Sequence, residues 1–424
     1  MKKSYFTVAS NTIFQILGRF STALIALVVT RLITGYLGID GFGEYQIVLS
    51  YVTFLWVLVD FGFNAIAVRR MSSHPEQEQS VFTTLLSAKL FLSFLAAVFL
   101  AGISFFLPYT LTVKLGIALG SITILSQGLR GACSGLFQYK LRYDVQFLSE
   151  LLSGIVFLGL VVFTLKNGAG LLGIVAALVV QYLLVALISA FFAARWLSLK
   201  PRFNPGKIKE LALEAFPFGI ALLFSLMTGK VDTFLLSVLP QEEISQVQAV
   251  GYFGLSLKIF EFVLAVPVFF MNVVYPILAR NLSLKWEYFT ATFKKSFLIL
   301  FNMGMWGSML LYIAAPYFVN IVAKDVRAGP AVHILRILTL FIPIYFITAL
   351  LMWVQLVFKK QKSLIFVYAA AFVFAFVSNC LFVPRYSYTA AALIKGLTEV
   401  FIFLQLSYLT LRNFRERLTT SSSQ

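Results

Sequence analysis

Long apolar runs broken by short polar stretches repeat along all 424 residues. A membrane-crossing helix needs about 20 mostly apolar residues. On that criterion the pattern predicts twelve spans, at 10–34, 41–66, 82–107, 111–137, 146–165, 171–194, 211–239, 250–278, 293–320, 333–358, 363–384 and 388–411. The connections are short, the longest lying around Arg195–Glu210 and Arg280–Lys295, which leaves no room for an extramembrane domain. The first run, which contains Arg19, is too long for the apolar core of a cleavable signal and reads as a retained first helix.

The basic stretch RWLSLKPRFNPGKIKE carries Pro201 and Pro205 and falls between the sixth and seventh spans. The expected organisation is therefore an N-terminal lobe at 1–194, a cytoplasmic linker at 195–210, a C-terminal lobe at 211–411 and a tail at 412–424. A faint echo between Gly43–Arg69 and Gly251–Arg280 supports the halving. Six plus six spans joined by a basic linker is the layout of a two-lobed transporter. The fold class expected is an all-α polytopic membrane protein of twelve helices in two six-helix lobes.

Composition agrees: 60% of residues are hydrophobic and 12% charged, with 45 phenylalanines and a mean hydropathy of +0.90. Soluble chains average about 45–50% apolar and about 25% charged. A net charge of +17 would suggest nucleic acid in a soluble protein. In a membrane chain such charges sit in loops, set orientation and touch anionic lipid, so no nucleic-acid partner is expected.

Of the 34 basic residues, eight fall inside spans or at their ends: Arg19, Arg31, Lys89, Arg130, Lys230, Lys258, Arg336 and Lys395. Five lie in one set of loops (Lys114, Lys166, Lys324, Arg327 and Arg385), and the remaining 21 lie in the opposite loops and tails. That asymmetry places both termini in the cytoplasm and supports an even number of spans.

Charges within spans are costly and are therefore functional or paired. Arg19 lies roughly 14 Å into the first span at 1.5 Å per residue, too deep for simple snorkelling. Lys89 and Arg130 lie nearer the cytoplasmic face, where snorkelling is the alternative. Lys258 and Glu261 (i,i+3) share a helix face, as do Lys395 and Glu399 (i,i+4), and an internal ion pair is the plain explanation of each. Lys230 and Asp232 point in different directions and need partners elsewhere. Asp60, flanked by Gly62 and Asn64, is a proton or ion carrier or simply an acceptor for a neighbouring helix. Pro217, Pro267 and Pro276 interrupt the same segments, as in the wall of a wet pathway.

Counted this way the interior is net cationic, and its natural complement is a phosphate or pyrophosphate, which Arg grips bidentately and Lys meets as a point charge. The candidate substrate-binding residues are thus Arg19, Lys89, Arg130, Lys230 and Lys258. The candidates for ion coupling or charge pairing are Asp60, Asp232, Glu261, Lys395 and Glu399. Cys133 and Cys380 are the only cysteines, and His74 and His333 lie far apart, so neither a disulfide framework nor a metal site is indicated. No catalytic motif is present, and an enzyme is not expected.

The stretch RLITGYLGIDGFGEYQIVLSYVTFLWVLVDFGFNAIAVRR, with Arg31, Leu37-Gly38, Gly41-Phe42-Gly43, Tyr45, Asp60-Phe61-Gly62 and Arg69, resembles the first two helices of bacterial polysaccharide (O-antigen type) flippases. These belong to the multidrug/oligosaccharidyl-lipid/polysaccharide (MOP) exporter superfamily. Pro217, Val231-Asp232, Gly251-Tyr252, Tyr275-Pro276, Arg280, Val383-Pro384-Arg385-Tyr386, Ala390-Ala391-Ala392 and Glu399 extend the similarity through the chain. It departs at Gly35, where family members often carry a basic residue, and at Tyr386-Ser387-Tyr388-Thr389, where they carry a Gly-rich turn.

The resemblance implies a bacterial inner-membrane protein that moves an undecaprenyl-pyrophosphate-linked oligosaccharide to the periplasmic leaflet by alternating access. It also implies coupling to H+ or Na+ without a bound cofactor, with polysaccharide polymerase and chain-length proteins as candidate partners. The competing expectations are a multidrug exporter of the same fold, a membrane glycan polymerase, and a non-transporting scaffold.

Overall fold

The computed structural model describes residues 2–242, 244–323 and 329–421, with side chains from Gln15 to Arg417 except Ile16, Arg19, Glu243, Pro217, Phe218, Ala221 and 324–328. The side chains of Arg19 and Pro217, and all of Lys324 and Arg327, therefore lie outside the described residues.

The chain is built from α-helices, and it divides into two compact units, Met1–Lys230 and Val231–Gln424. The first unit contains α1 (Lys2–Asp60), α2 (Phe63–Ser73), α3 (Glu78–Ser104), α4 (Leu111–Gly120), α5 (Ile122–Lys140), α6 (Tyr143–Lys166), α7 (Gly170–Ala193) and α8 (Pro205–Thr228). The second contains α9 (Val231–Val238), α10 (Gln246–Leu284), α11 (Trp286–Ala323), α12 (Gly329–Thr339), α13 (Ile342–Val357) and α14 (Gln361–Ser421).

Eight helices among the described residues are long and apolar enough to cross a membrane, or nine when the α12/α13 pair, bent by 47°, is taken as one span. The difference from twelve has a local cause. α1 has 59 residues and α14 has 61, each roughly 90 Å at 1.5 Å per residue, some three times the hydrocarbon thickness. Each is interrupted once, at Gly38 (φ 68°) and Ser387 (φ 49°), between the two spans expected there. The span expected at 211–239 is covered by α8 and α9, the latter of only eight residues.

Side-chain caps open α4, α8 and α10. Asn204 accepts the Lys207 N–H at 3.2 Å with Pro205 at the first helical position, which begins α8. Buried hydroxyls are satisfied within their own helices: Thr34, Ser87, Ser149 and Thr398 each donate to the carbonyl four residues earlier. Hydrocarbon demands such internal pairing.

In the first unit, Phe82, Leu85, Leu136, Phe137 and Met71 form a buried cluster that also takes in Leu211 and Ala215 of α8. α8, assigned by sequence to the C-terminal lobe, thus packs within the first unit. Lipid-facing surfaces are apolar as well: Phe91, Phe94, Leu95 and Val98 form an exposed stripe at helical spacing along α3.

Candidate functional site

Among the described residues, a polar centre with buried charges stands out in each unit. In the first unit α1 ends at Asp60 because Phe61 (φ 27°) and Gly62 (φ 72°) take left-handed backbone before α2 restarts at Phe63. The break leaves the Asp60 carboxylate facing α3, where Lys89 Nζ donates to its Oδ1 at 2.6 Å. The Lys89 side chain is 1% exposed and that of Asp60 44%. Lys89 therefore does not snorkel, which corrects one of the two readings drawn from its depth. Gly131 lies close against it: a Cβ there would stand 2.9 Å from Lys89 Nζ.

Arg130 of α5 is likewise matched. Its guanidinium donates to Glu150 of α6 and, at 3.1 Å, to Gln127 Oε1 one turn earlier. Gln146 Nε2 reaches the same Glu150 carboxylate at 3.3 Å, and the Ser134 hydroxyl lies 3.4 Å from Gln146 Oε1.

These groups surround a cavity of about 430 Å³ lined by Thr53, Trp56, Val57, Asp60, Asn64, Gln127, Arg130, Gly131, Ser134, Gln146, Leu226 and Lys230. Trp56 is fixed against Tyr182, with ring centroids 4.6 Å apart. Trp56 Nε1 and Asn64 Oδ1 are buried without a hydrogen-bond partner. Elsewhere in this unit Glu214 of α8 bonds to both Arg69 and Arg70 of α2, and Arg70 also donates to Glu210 at 2.8 Å.

In the second unit Asp232 of α9 is 2% exposed and accepts from two groups of α14, Asn379 Nδ2 at 2.9 Å and Lys395 Nζ at 3.1 Å. Tyr345 donates to the Lys395 carbonyl at 3.4 Å, and Thr348 hydrogen-bonds the Glu399 carboxyl. The i,i+4 spacing suggested Lys395–Glu399 as the pair, whereas the Lys395 ammonium contacts Asp232, and Glu399 acts on it as a nearby charge. Lys258 is half-buried and Glu261 exposed, both on α10.

The five cations proposed from sequence are distributed along the chain as follows. Lys89, Arg130 and Lys230 belong to the first unit, Lys258 to the second, and the Arg19 side chain lies outside the described residues. These centres are not bare positive charge, because Lys89, Arg130 and Lys395 each have an acidic partner. Sequence reasoning missed Trp56, Asn64, Gln127, Ser134, Gln146 and Asn379 because it weighed only ionisable groups. A signal was available: Thr53, Trp56, Asp60 and Asn64, and likewise Gln127, Arg130 and Ser134, recur at helical spacing inside apolar runs. Among the described residues no group of three or more His, Cys, Asp or Glu could hold a metal ion.

Residues 8–282 match the family model described as polysaccharide biosynthesis protein. The chain belongs to that family. Among curated proteins, no sequence matches it. Among solved structures, it is similar to a lipid II flippase MurJ in an inward closed conformation, at 14% identity with a TM-score of 0.80, covering 94% of this chain and 87% of that one. It is also similar to an inward-facing multidrug resistance MATE family transporter of the MOP superfamily (11% identity, TM-score 0.71, 92% and 94% covered). A MOP superfamily transporter from Pyrococcus furiosus aligns at 12% identity with a TM-score of 0.64, covering 96% and 95%. This member of the polysaccharide biosynthesis family is thus a multi-pass membrane protein with the fold of the MOP superfamily structures.

Proposed function

We propose that the protein is a flippase for a lipid-linked oligosaccharide. It carries an undecaprenyl-pyrophosphate-linked polysaccharide repeat unit, of O-antigen type, from the cytoplasmic to the periplasmic leaflet of a bacterial inner membrane. The observation that carries this is the cavity of about 430 Å³ set among apolar helices and walled by Arg130, Lys230 and Asp60 beside a row of neutral polar side chains. A passive anchor has no use for a polar cavity inside hydrocarbon, where each such group is costly. The family, a polysaccharide biosynthesis one, supports a glycan cargo.

In this scheme Arg130 and Lys230 meet the pyrophosphate. Lys89, being buried, acts on the cavity through Asp60. The Asp232–Lys395 centre of the second unit, with Glu399 nearby, is where a proton or sodium ion would exchange against a fixed charge, as coupled transport requires. Lys258 and Arg19 stand as further cations of the transport path.

Genetic deletion in the native host tests the proposal. Loss of surface polysaccharide, with complete lipid-linked repeat units retained in the cytoplasmic leaflet, is the expected outcome. Surface glycan only one repeat long would point to a polymerase instead. Unchanged glycan with new drug sensitivity would point to an exporter.

A further inference from the structure

The charges at the first unit's cavity are largely spoken for. Asp60 accepts from Lys89, and Arg130 is bonded to Glu150 and Gln127. The buried atoms of the wall that lack a partner are neutral. Trp56 Nε1, a donor, and Asn64 Oδ1, an acceptor, both belong to cavity-lining residues, and both atoms are buried with no partner. Leaving such an atom unpaired is costly. The nearby Ser134–Gln146 bond is stretched to 3.4 Å, at the weak end of the range, and is readily exchanged for a ligand contact.

A pyrophosphate carries acceptors only. It could take the Trp56 N–H, but it would face the Asn64 carbonyl oxygen acceptor to acceptor. A sugar hydroxyl is both donor and acceptor, so a polyhydroxyl ring can answer donors and acceptors of such a wall alike. The volume of about 430 Å³ falls within the roughly 300–1,000 Å³ of small-molecule sites. The indole is held against Tyr182, so its N–H direction is set before a ligand arrives.

We propose that Trp56, Asn64, Ser134 and Gln146 form a sugar-recognition subsite in the first unit, which reads a glycan ring of the cargo rather than its pyrophosphate. The subsite rests on the flippase reading and assigns this wall to one part of that substrate.

The test compares two probes on the full chain in lipid nanodiscs: undecaprenyl pyrophosphate, and the same lipid bearing the host's oligosaccharide. Wild type binds the glycosylated lipid about tenfold tighter. Trp56→Phe, which keeps the ring and removes the N–H, and Asn64→Leu, a near isostere, each reduce that preference to about threefold or less. Neither variant unfolds at a lower temperature than wild type without ligand, because each deletes a group that is unpaired in the ligand-free protein. Equal binding of the two probes by wild type, or an undiminished preference in both variants, overturns the subsite while leaving the flippase proposal standing. Binding of neither probe by wild type overturns the flippase proposal and the subsite with it.

Discussion

At the scale of single residues, the Asp60–Lys89 pair has an asymmetry that fixes the effect of breaking it. Lys89 is shut away at 1% exposure, and Asp60 opens to the cavity at 44%. Removing one partner of a buried pair strands the other charge at about 3–5 kcal/mol. Asp60→Asn strands a buried ammonium and is expected to fall in that range. Lys89→Met leaves a carboxylate with access to water and should cost clearly less. Thermal unfolding of the two purified variants gives the order, and a lower melting temperature for Lys89→Met than for Asp60→Asn would contradict it. Ser387 carries a second residue-scale message. It holds φ 49°, and its hydroxyl donates to Gln241, so a side-chain bond accompanies backbone that glycine would adopt freely.

At the scale of elements, α8 is the helix whose allegiance matters most. Its buried residues Leu211 and Ala215 join the core of the first unit, and its acidic residues Glu210 and Glu214 clasp Arg69 and Arg70 of α2. These ion pairs are partly exposed, and such pairs are worth about 0–1 kcal/mol each. Replacing both glutamates by alanine should therefore barely move the global melting temperature. It should instead loosen the start of α8, seen as faster amide hydrogen exchange over 205–215 with no change in α14. Unaltered exchange there would show that the apolar contacts of Leu211 and Ala215 hold the helix alone. α9 is a contrasting case: eight residues are too few for a stable helix by themselves, and packing against α14 together with the Asp232 bonds to Asn379 and Lys395 accounts for its order.

At the scale of the whole molecule, the distribution of basic residues makes a topological prediction independent of any site. With 21 of 34 in one set of loops and tails, both the segment after residue 411 and the linker at 195–210 should face the cytoplasm. Single cysteines placed at 200 and 415 in a background lacking Cys133 and Cys380 should resist a membrane-impermeant maleimide in intact cells and react after permeabilisation. Labelling of either position in intact cells would overturn the orientation. The two interrupted helices, α1 and α14, matter here, because a chain whose ends share one side must cross an even number of times.

The amino-acid sequence by itself determined the class of protein, the approximate positions of the helices, the membership of a family and the identity of the costly charges. Hydropathy and helical periodicity are local properties, readable within a window of about 20 residues. It did not determine who pairs with whom. Lys89 meets Asp60 across 29 positions, Arg130 meets Glu150 across 20, and Lys395 meets Asp232 across 163, and helix packing alone decides such distances. The i,i+4 rule favoured Glu399 for Lys395 because it sees only neighbours on one helix, while the bundle brought in a carboxylate from another. The same packing turned Trp56, Asn64, Gln127 and Gln146, unremarkable among apolar neighbours, into the wall of one cavity. A polar side chain gains its meaning in a membrane from what faces it, and that is settled only when the helices come together.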